Sequence, residues 1–170
     1  QGVSSAASDV YKRQVPELAQ AGRARKDDTL HAMARALREN AAAVIRQNQR
    51  DVEAGRGAGT SEALLDRLTL DQARLESLAV ALEDLAALPD PVGDVVRGRS
   101  LPNGLRLQQV RVPLGVIGAI YEARPNVTVD IAGLALKSGN AVVLRGGSAA
   151  THTNTAPVSY THLTLPTILL

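Results

Sequence analysis

At 170 residues the chain is long enough for one domain, and an apolar share of 45% suits a soluble globular protein. The absence of cysteine excludes disulfides, zinc–thiolate centres and a thiol nucleophile within these residues, and no run of 18 apolar residues marks a membrane span. The formal charge of +2 is spread over interleaved basic and acidic residues, which excludes the basic block of a nucleic-acid or anionic-membrane binder.

Residues 1–14 have neither helical nor strand periodicity, and nothing in them resembles a signal peptide, so the expected location is cytoplasmic. Residues 157–170 are uncharged and rich in Thr and Leu, unlike the charged middle. Both stretches read as non-native tails of the kind produced by adaptor read-through, and they are set aside from the fold. The alternative for the second is a real strand around Leu163–Leu170.

From Asp27 to about Ala54, Leu30, Met33, Leu37, Ala41, Val44, Ile45 and Val52 recur at helical spacing. Asp27 or Asp28 is a candidate N-cap, Asn40 a candidate break into two helices, and Gly55–Gly59 the stop. A short helix is expected from Thr60 or Ser61 through Leu64, Leu65 and Leu68. Thr69 and Gln72 have the spacing of a capping box. They open a helix with Leu75, Leu78, Leu82 and Leu85 on one stripe, ended by Pro89. Pro89–Gly93 is a turn-rich connector.

Asn103-Gly104 is a hairpin-type turn, after which the period changes. Leu105–Val112 reads as a strand with one wet face marked by Arg106 and Arg111. Val116–Ile120 is a continuous apolar run, expected to be a parallel strand buried on both faces. Val127–Leu136 reads as a helix stopped by Ser138-Gly139-Asn140, and Ala141–Leu144 as another strand. Val116–Arg145 is therefore a β–α–β unit of a doubly wound sheet.

Ligands of open α/β sheets bind beyond the carboxyl ends of the strands. Two segments lie there, Tyr121–Asn126 and Arg145–Ser148. Asn126 reaches a helix N-terminus, where its amide can donate to a developing oxyanion, and Arg124 can pair with a phosphate or carboxylate. The bland alternatives are a helix cap and a surface charge. Gly146 and Gly147 permit close backbone approach and Arg145 can contact a phosphate; an ordinary glycine turn is the alternative. No G-x-G-x-x-G or P-loop pattern is present.

The run from Arg111 through Tyr121-Glu-Ala-Arg-Pro-Asn126-Val-Thr-Val-Asp130, continued by Leu136–Ser148 and His152-x-Asn154, closely resembles the signature region of the gamma-glutamyl phosphate reductases, members of the aldehyde dehydrogenase superfamily. The likeness covers roughly residues 15–156. It implies an α/β fold: N-terminal helices followed by part of a Rossmann-like parallel sheet of the aldehyde dehydrogenase type, an incomplete domain. The expected division is a non-native tail (1–14), a helical region and connector (15–103), part of an NADP-binding domain (104–156) and a second non-native tail (157–170).

The resemblance further implies NADPH-dependent reduction of L-glutamyl 5-phosphate to L-glutamate 5-semialdehyde in proline biosynthesis, through a cysteine thioester. Asn126 matches the superfamily's oxyanion donor. Arg145 falls where a basic residue meets the adenosine ribose and suits a 2′-phosphate, with Gly146, Gly147 and Ser148 alongside. Ile120 and Tyr121 end the strand beneath the cofactor, and Arg124 is a candidate substrate contact. No metal is implied. The expected partners are the small-molecule substrate and, for the parent enzyme, further copies of itself; no nucleic acid and no membrane. Two departures stand out: Ala149 replaces the family's acidic or polar residue, and the nucleophilic cysteine is absent from the chain. The expectation is an inactive N-terminal fragment; the alternative is a truncated nucleotide-binding or dimerisation module without catalysis.

Overall fold

The structure, a computed structural model, describes residues 15–122 and 124–154 and the backbone of 167–169. The amphipathic stretch forms α1 (Arg23–Glu39) and α2 (Ala41–Gly57), separated at Asn40. Asn40 turns the chain: its Nδ2 donates to the Ala36 carbonyl at 2.8 Å, and its carbonyl accepts from the amides of Ala43 and Val44 in α2. The expected Asp27 or Asp28 cap is not used. Gly22 is the N-cap of α1, and Asp27 lies inside the helix, where it bonds Arg23 and Lys137. The helix begins early because residues 23–26 have no breaker, and a partner for Asp27 waits on a distant helix.

Of the glycines expected to stop α2, only Gly59 does so. It adopts φ +76°, its N–H donates to the Arg56 carbonyl and that of Thr60 to the Gly55 carbonyl. This pair of bonds satisfies the last free carbonyls of the helix. After α3 (Glu62–Leu68), α4 (Gln72–Ala87) is capped by Asp71, whose carboxylate accepts the Arg74 N–H at 2.7 Å. The Thr69–Gln72 capping box does not form. A carboxylate already sits at the N-cap, and the Thr69 hydroxyl turns back to the Leu65 carbonyl. Leu88 is extended before Pro89, as proline's steric demand requires.

A two-stranded antiparallel hairpin follows, β1 (Val95–Ser100) with β2 (Arg106–Val110). Gly104, at φ +85°, closes its turn. The expectation of one buried face fails here: every residue of both strands is exposed. β1 is absent from the sequence reading, because Val95–Ser100 lacks the apolar alternation that marks a half-buried strand.

The second sheet has the order β3-β4-β5, all parallel, from β3 (Val116–Tyr121), β4 (Ala141–Gly146) and β5 (Thr167–Leu169). β5 lies in the stretch set aside as a tail, and its backbone pairs with β4 from Val142 to Leu144. β3 and β4 are joined by α5 (Pro125–Lys137), which starts two residues earlier than expected because Pro125 takes the first helical position. Gly139 ends it at φ +72°, again with the paired carbonyl bonds. β3 is not buried on both faces. Ile117, Ala119 and Tyr121 pack toward α5, whereas Val116, Gly118 and Ile120 face outward. Among the described residues, no element covers that outer face at Ile120.

One core holds the layers together: Leu30, Met33 and Leu37 of α1, Leu75, Leu78 and Leu82 of α4, Val129, Ala132 and Leu136 of α5, and Val142 and Leu144 of β4. Burying each large side chain contributes roughly 1.5–3 kcal/mol. Gly133 sets the α4–α5 crossing, since a Cβ there would lie 2.8 Å from Leu82 Cδ2. Two buried lysines join the layers, Lys26 to both oxygens of Asp90 (3.0 and 2.9 Å) and Lys137 to Asp27 (2.6 Å) and the Ala86 carbonyl (2.8 Å).

Candidate functional site at the strand ends and the start of α5

Parallel pairing sets Ile120 beside Arg145 and Tyr121 beside Gly146. Side chains alternate along a strand, so these two pairs face opposite ways. Ile120, 84% exposed, and Arg145 stand on the open face of the sheet. The Arg145 guanidinium bonds no described residue. Tyr121 turns inward under α5, where its hydroxyl meets Thr128 Oγ1 at 2.6 Å, and Thr128 donates to Asn154 Oδ1 at 3.1 Å. Burial pushes the Tyr121 phenol up, against the Thr128 bond.

Gly146 is glycine for a packing reason. A Cβ would stand 2.1 Å from Asn154 Nδ2 and 3.4 Å from the Tyr121 ring. A Cβ on Gly147 would make only ordinary contact with Glu122, at 3.4 Å. Ser148 opens a short 3-10 turn (Ser148–Ala150) and is exposed. The segment is anchored from behind by α2. Asp51, buried, accepts from Thr153 N (2.7 Å) and Oγ1 (2.6 Å), His152 N (3.3 Å) and His152 Nδ1 (2.7 Å). Asn48 donates to Thr153 Oγ1 at 3.2 Å and to the Leu68 carbonyl at 2.8 Å, and accepts from Leu70 N at 2.7 Å.

At the end of β3, Arg124 is the N-cap of α5 without a side-chain capping bond, and Asn126 is the helix's second residue. Asn126 is therefore not the cap. Its Nδ2 donates to Asp130 Oδ2 at 3.3 Å, which occupies one of its two N–H groups. Burial pushes the Asp130 carboxyl up, partly offset by that bond. Arg124 and Asn126 line one cavity of about 410 Å³, whose other wall comes from α3, α4 and their connection: Asp66, Arg67, Thr69, Leu70, Arg74, Ser77 and Leu78. The fold thus brings Arg124 and Asn126 together. Ile120, Arg145 and Ser148 lie along the outer strand ends, with Tyr121 behind the sheet.

The helical wall of the cavity and the Asn48–Asp51 anchor went unread in the sequence. The anchor had a signal: Ala41, Val44, Asn48 and Asp51 follow one another on the buried face of α2, so two polar residues interrupt an apolar stripe. Arg67 and Arg74 had none, being two arginines among sixteen. Among the described residues no group of three or more His, Cys, Asp or Glu is placed to hold a metal, and no helix is long and apolar enough to cross a membrane.

A helical layer against a parallel β–α–β unit, open at its strand ends, is the arrangement found in aldehyde dehydrogenases. A solved aldehyde dehydrogenase structure from Bacillus subtilis superposes with a TM-score of 0.67 at 19% identity, over 96% of this chain and 34% of that one. The fold is α/β of the aldehyde dehydrogenase type, with helices preceding part of a Rossmann-like parallel sheet, and the domain is incomplete.

Beyond the fold, the chain is closely similar to part of the gamma-glutamyl phosphate reductases. It is 60% identical over 138 residues to the gamma-glutamyl phosphate reductase of Kineococcus radiotolerans, covering 81% of this chain and 32% of that protein. It is 64% identical over 129 residues to that of Clavibacter michiganensis, covering 76% of this chain and 30% of that protein. The crystal structure of the Thermotoga maritima reductase superposes with a TM-score of 0.90 at 37% identity, over 96% of this chain and 42% of that one. The chain thus spans about a third of the length of the curated relatives it matches. No family model matches it.

Proposed function

We propose that the chain supplies the oxyanion donor and the adenosine-side cradle of an NADPH-dependent reductase. The parent enzyme, a cytoplasmic homo-oligomer, converts L-glutamyl 5-phosphate to L-glutamate 5-semialdehyde in proline biosynthesis. The observation that carries this reading is the meeting of Arg124 and Asn126 in one cavity at the start of α5, beside strand ends that present Arg145 without a partner among the described residues. In this reading residues 15–103 form the helical region and connector, residues 104–156 form part of the NADP-binding domain, and both flanking stretches are non-native.

A 2′-phosphate fits what stands at the end of β4: a guanidinium bonded to no described residue, with the exposed Ser148 three residues further on. A guanidinium takes a phosphate through charge-assisted paired hydrogen bonds. The apolar Ile120 beside Arg145 offers a surface for the adenosine, Gly146 and Gly147 give the chain a close approach, and the backbone of Tyr121 continues the floor of the site. When bound, the dinucleotide supplies the hydride. The second N–H of the Asn126 amide donates to the oxygen that becomes negative at the acyl carbon. A fixed donor of this kind contributes about 10²–10³ in rate. Arg124 receives the departing phosphate. With no cysteine, the chain alone forms no acyl–enzyme bond, so these groups act only in concert with a thiol from the rest of the parent enzyme.

Calorimetry of the purified chain with 2′,5′-ADP and with 5′-AMP tests the cradle. Tighter binding of 2′,5′-ADP is expected, and Arg145→Ala should abolish the preference, a change of about tenfold or ~1.4 kcal/mol. Equal binding of the two nucleotides would overturn the assignment of Arg145. The purified chain should not oxidise NADPH in the presence of L-glutamyl 5-phosphate; measurable turnover would overturn the division of labour.

A further inference from the structure

The cavity beside Asn126 holds more positive charge than the reacting end of a substrate needs. Three guanidiniums line it, Arg67, Arg74 and Arg124, against the single carboxylate of Asp66, a formal balance of +2 (three minus one). Arg74 is held in place by its Nη groups: one donates to the Asp66 and Thr69 carbonyls, the other to Asp66 Oδ1 at 2.7 Å. Three of its five N–H groups are thereby used and two remain. Arg67 and Arg124 make no side-chain hydrogen bond or ion pair with any described residue. A fixed guanidinium and two free ones around a cavity of about 410 Å³ are suited to a small ligand with more than one anionic group.

We propose that Arg67 and Arg74, the arginines of the helical wall, bind the α-carboxylate of an amino-acid acyl phosphate and so select that substrate class over simple acyl phosphates. The assignment rests on the reductase reading above, which puts the acyl carbon at Asn126 and the phosphate at Arg124, two residues away. The second anion of the substrate then meets the opposite wall. Arg74 acts as a preorganised contact and Arg67 as a mobile one. Charge-assisted hydrogen bonds from these guanidiniums are strong enough to discriminate by about tenfold or more.

The test is a titration of the full 170-residue chain, followed by the side-chain Nε–H signals of its arginines in 1H–15N spectra. The probes are L-glutamate and 4-aminobutyrate, which differ by the α-carboxylate alone. Saturable shifts at Arg67 and Arg74 with L-glutamate are expected, with at least tenfold weaker binding of 4-aminobutyrate. Arg67→Ala, a change at an exposed residue, should weaken L-glutamate about tenfold while leaving 4-aminobutyrate and the melting temperature unchanged. Arg74→Lys, which keeps the charge but loses the fork, should weaken L-glutamate without unfolding the chain. Equal affinity for the two probes, or shifts that rise linearly at all arginines as salt does, would overturn the proposal. The 2′,5′-ADP titration separates the two readings: nucleotide preference with no effect of Arg67→Ala defeats the carboxylate assignment alone, and the converse defeats the cofactor assignment alone.

Discussion

Asp51→Ala tests whether the helical layer positions the Ser148 loop. Asp51 is 4% exposed and accepts four hydrogen bonds from His152 and Thr153. Thr153 is fully buried, so truncation leaves its N–H and O–H without their shared acceptor. Each orphaned buried donor costs about 1–3 kcal/mol. The His152 ring, with a side chain 57% exposed, regains water and adds little. The expected loss is roughly 2–4 kcal/mol, because residues 148–154 can also detach and cap the penalty. Urea denaturation at constant m reads the change, and hydrogen exchange should show the loss concentrated at Thr153 and Asn154. Asp51→Asn keeps one acceptor oxygen and should fall between wild type and alanine, which guards against a variant too unstable to measure. A loss below about 0.5 kcal/mol for Asp51→Ala, the scale of ordinary surface changes, would refute the anchoring role.

Two further outcomes follow from the buried polar pairs and close contacts. Gly146→Ala places a methyl 2.1 Å from Asn154 Nδ2, so Asn154 must move and its bond with Thr128 must lengthen. A loss of about 1–3 kcal/mol is expected, against near neutrality for Gly147→Ala, and equal effects at the two positions would contradict the packing argument. Acid should destabilise the chain through Asp27 and Asp90. Burial alone would raise both carboxyls, but the bonds from Lys137 and Arg23 to Asp27, and from Lys26 and the Val92 amide to Asp90, hold them below the ordinary range. A depressed carboxyl contributes stability that is complete above its unfolded value, about 3.9, and lost as pH falls through its lower folded value. The urea midpoint should therefore drop from about pH 4 downward, and the double variant Asp27→Asn, Asp90→Asn should flatten that drop. Asp130, raised by burial, has the opposite sign and costs stability as pH rises through its folded value.

The sequence alone determined the local elements and the family-bearing loops. Leucine spacing set the helical stripes, since an apolar face must repeat every three to four residues to bury itself. The β–α–β unit followed from two apolar runs flanking a helix-period segment, and the signature around Asn126 marked the strand end that matters. Several assignments turned on partners remote in sequence. Asp27 reads as a cap, yet it is the half-buried partner of the buried Lys137, 110 residues away. Gly146 reads as room for a ligand, and only the fold shows that it also makes room for Asn154. The apolar run of β3 reads as buried on both faces, yet hydrophobicity records only what a strand is suited to cover, and the described helices cover one side. The wall of arginines opposite Asn126 has no local pattern at all. Only the arrangement of α3, α4 and the start of α5 around one cavity brings these arginines together, because charges far apart in the chain become neighbours only when the core fixes them.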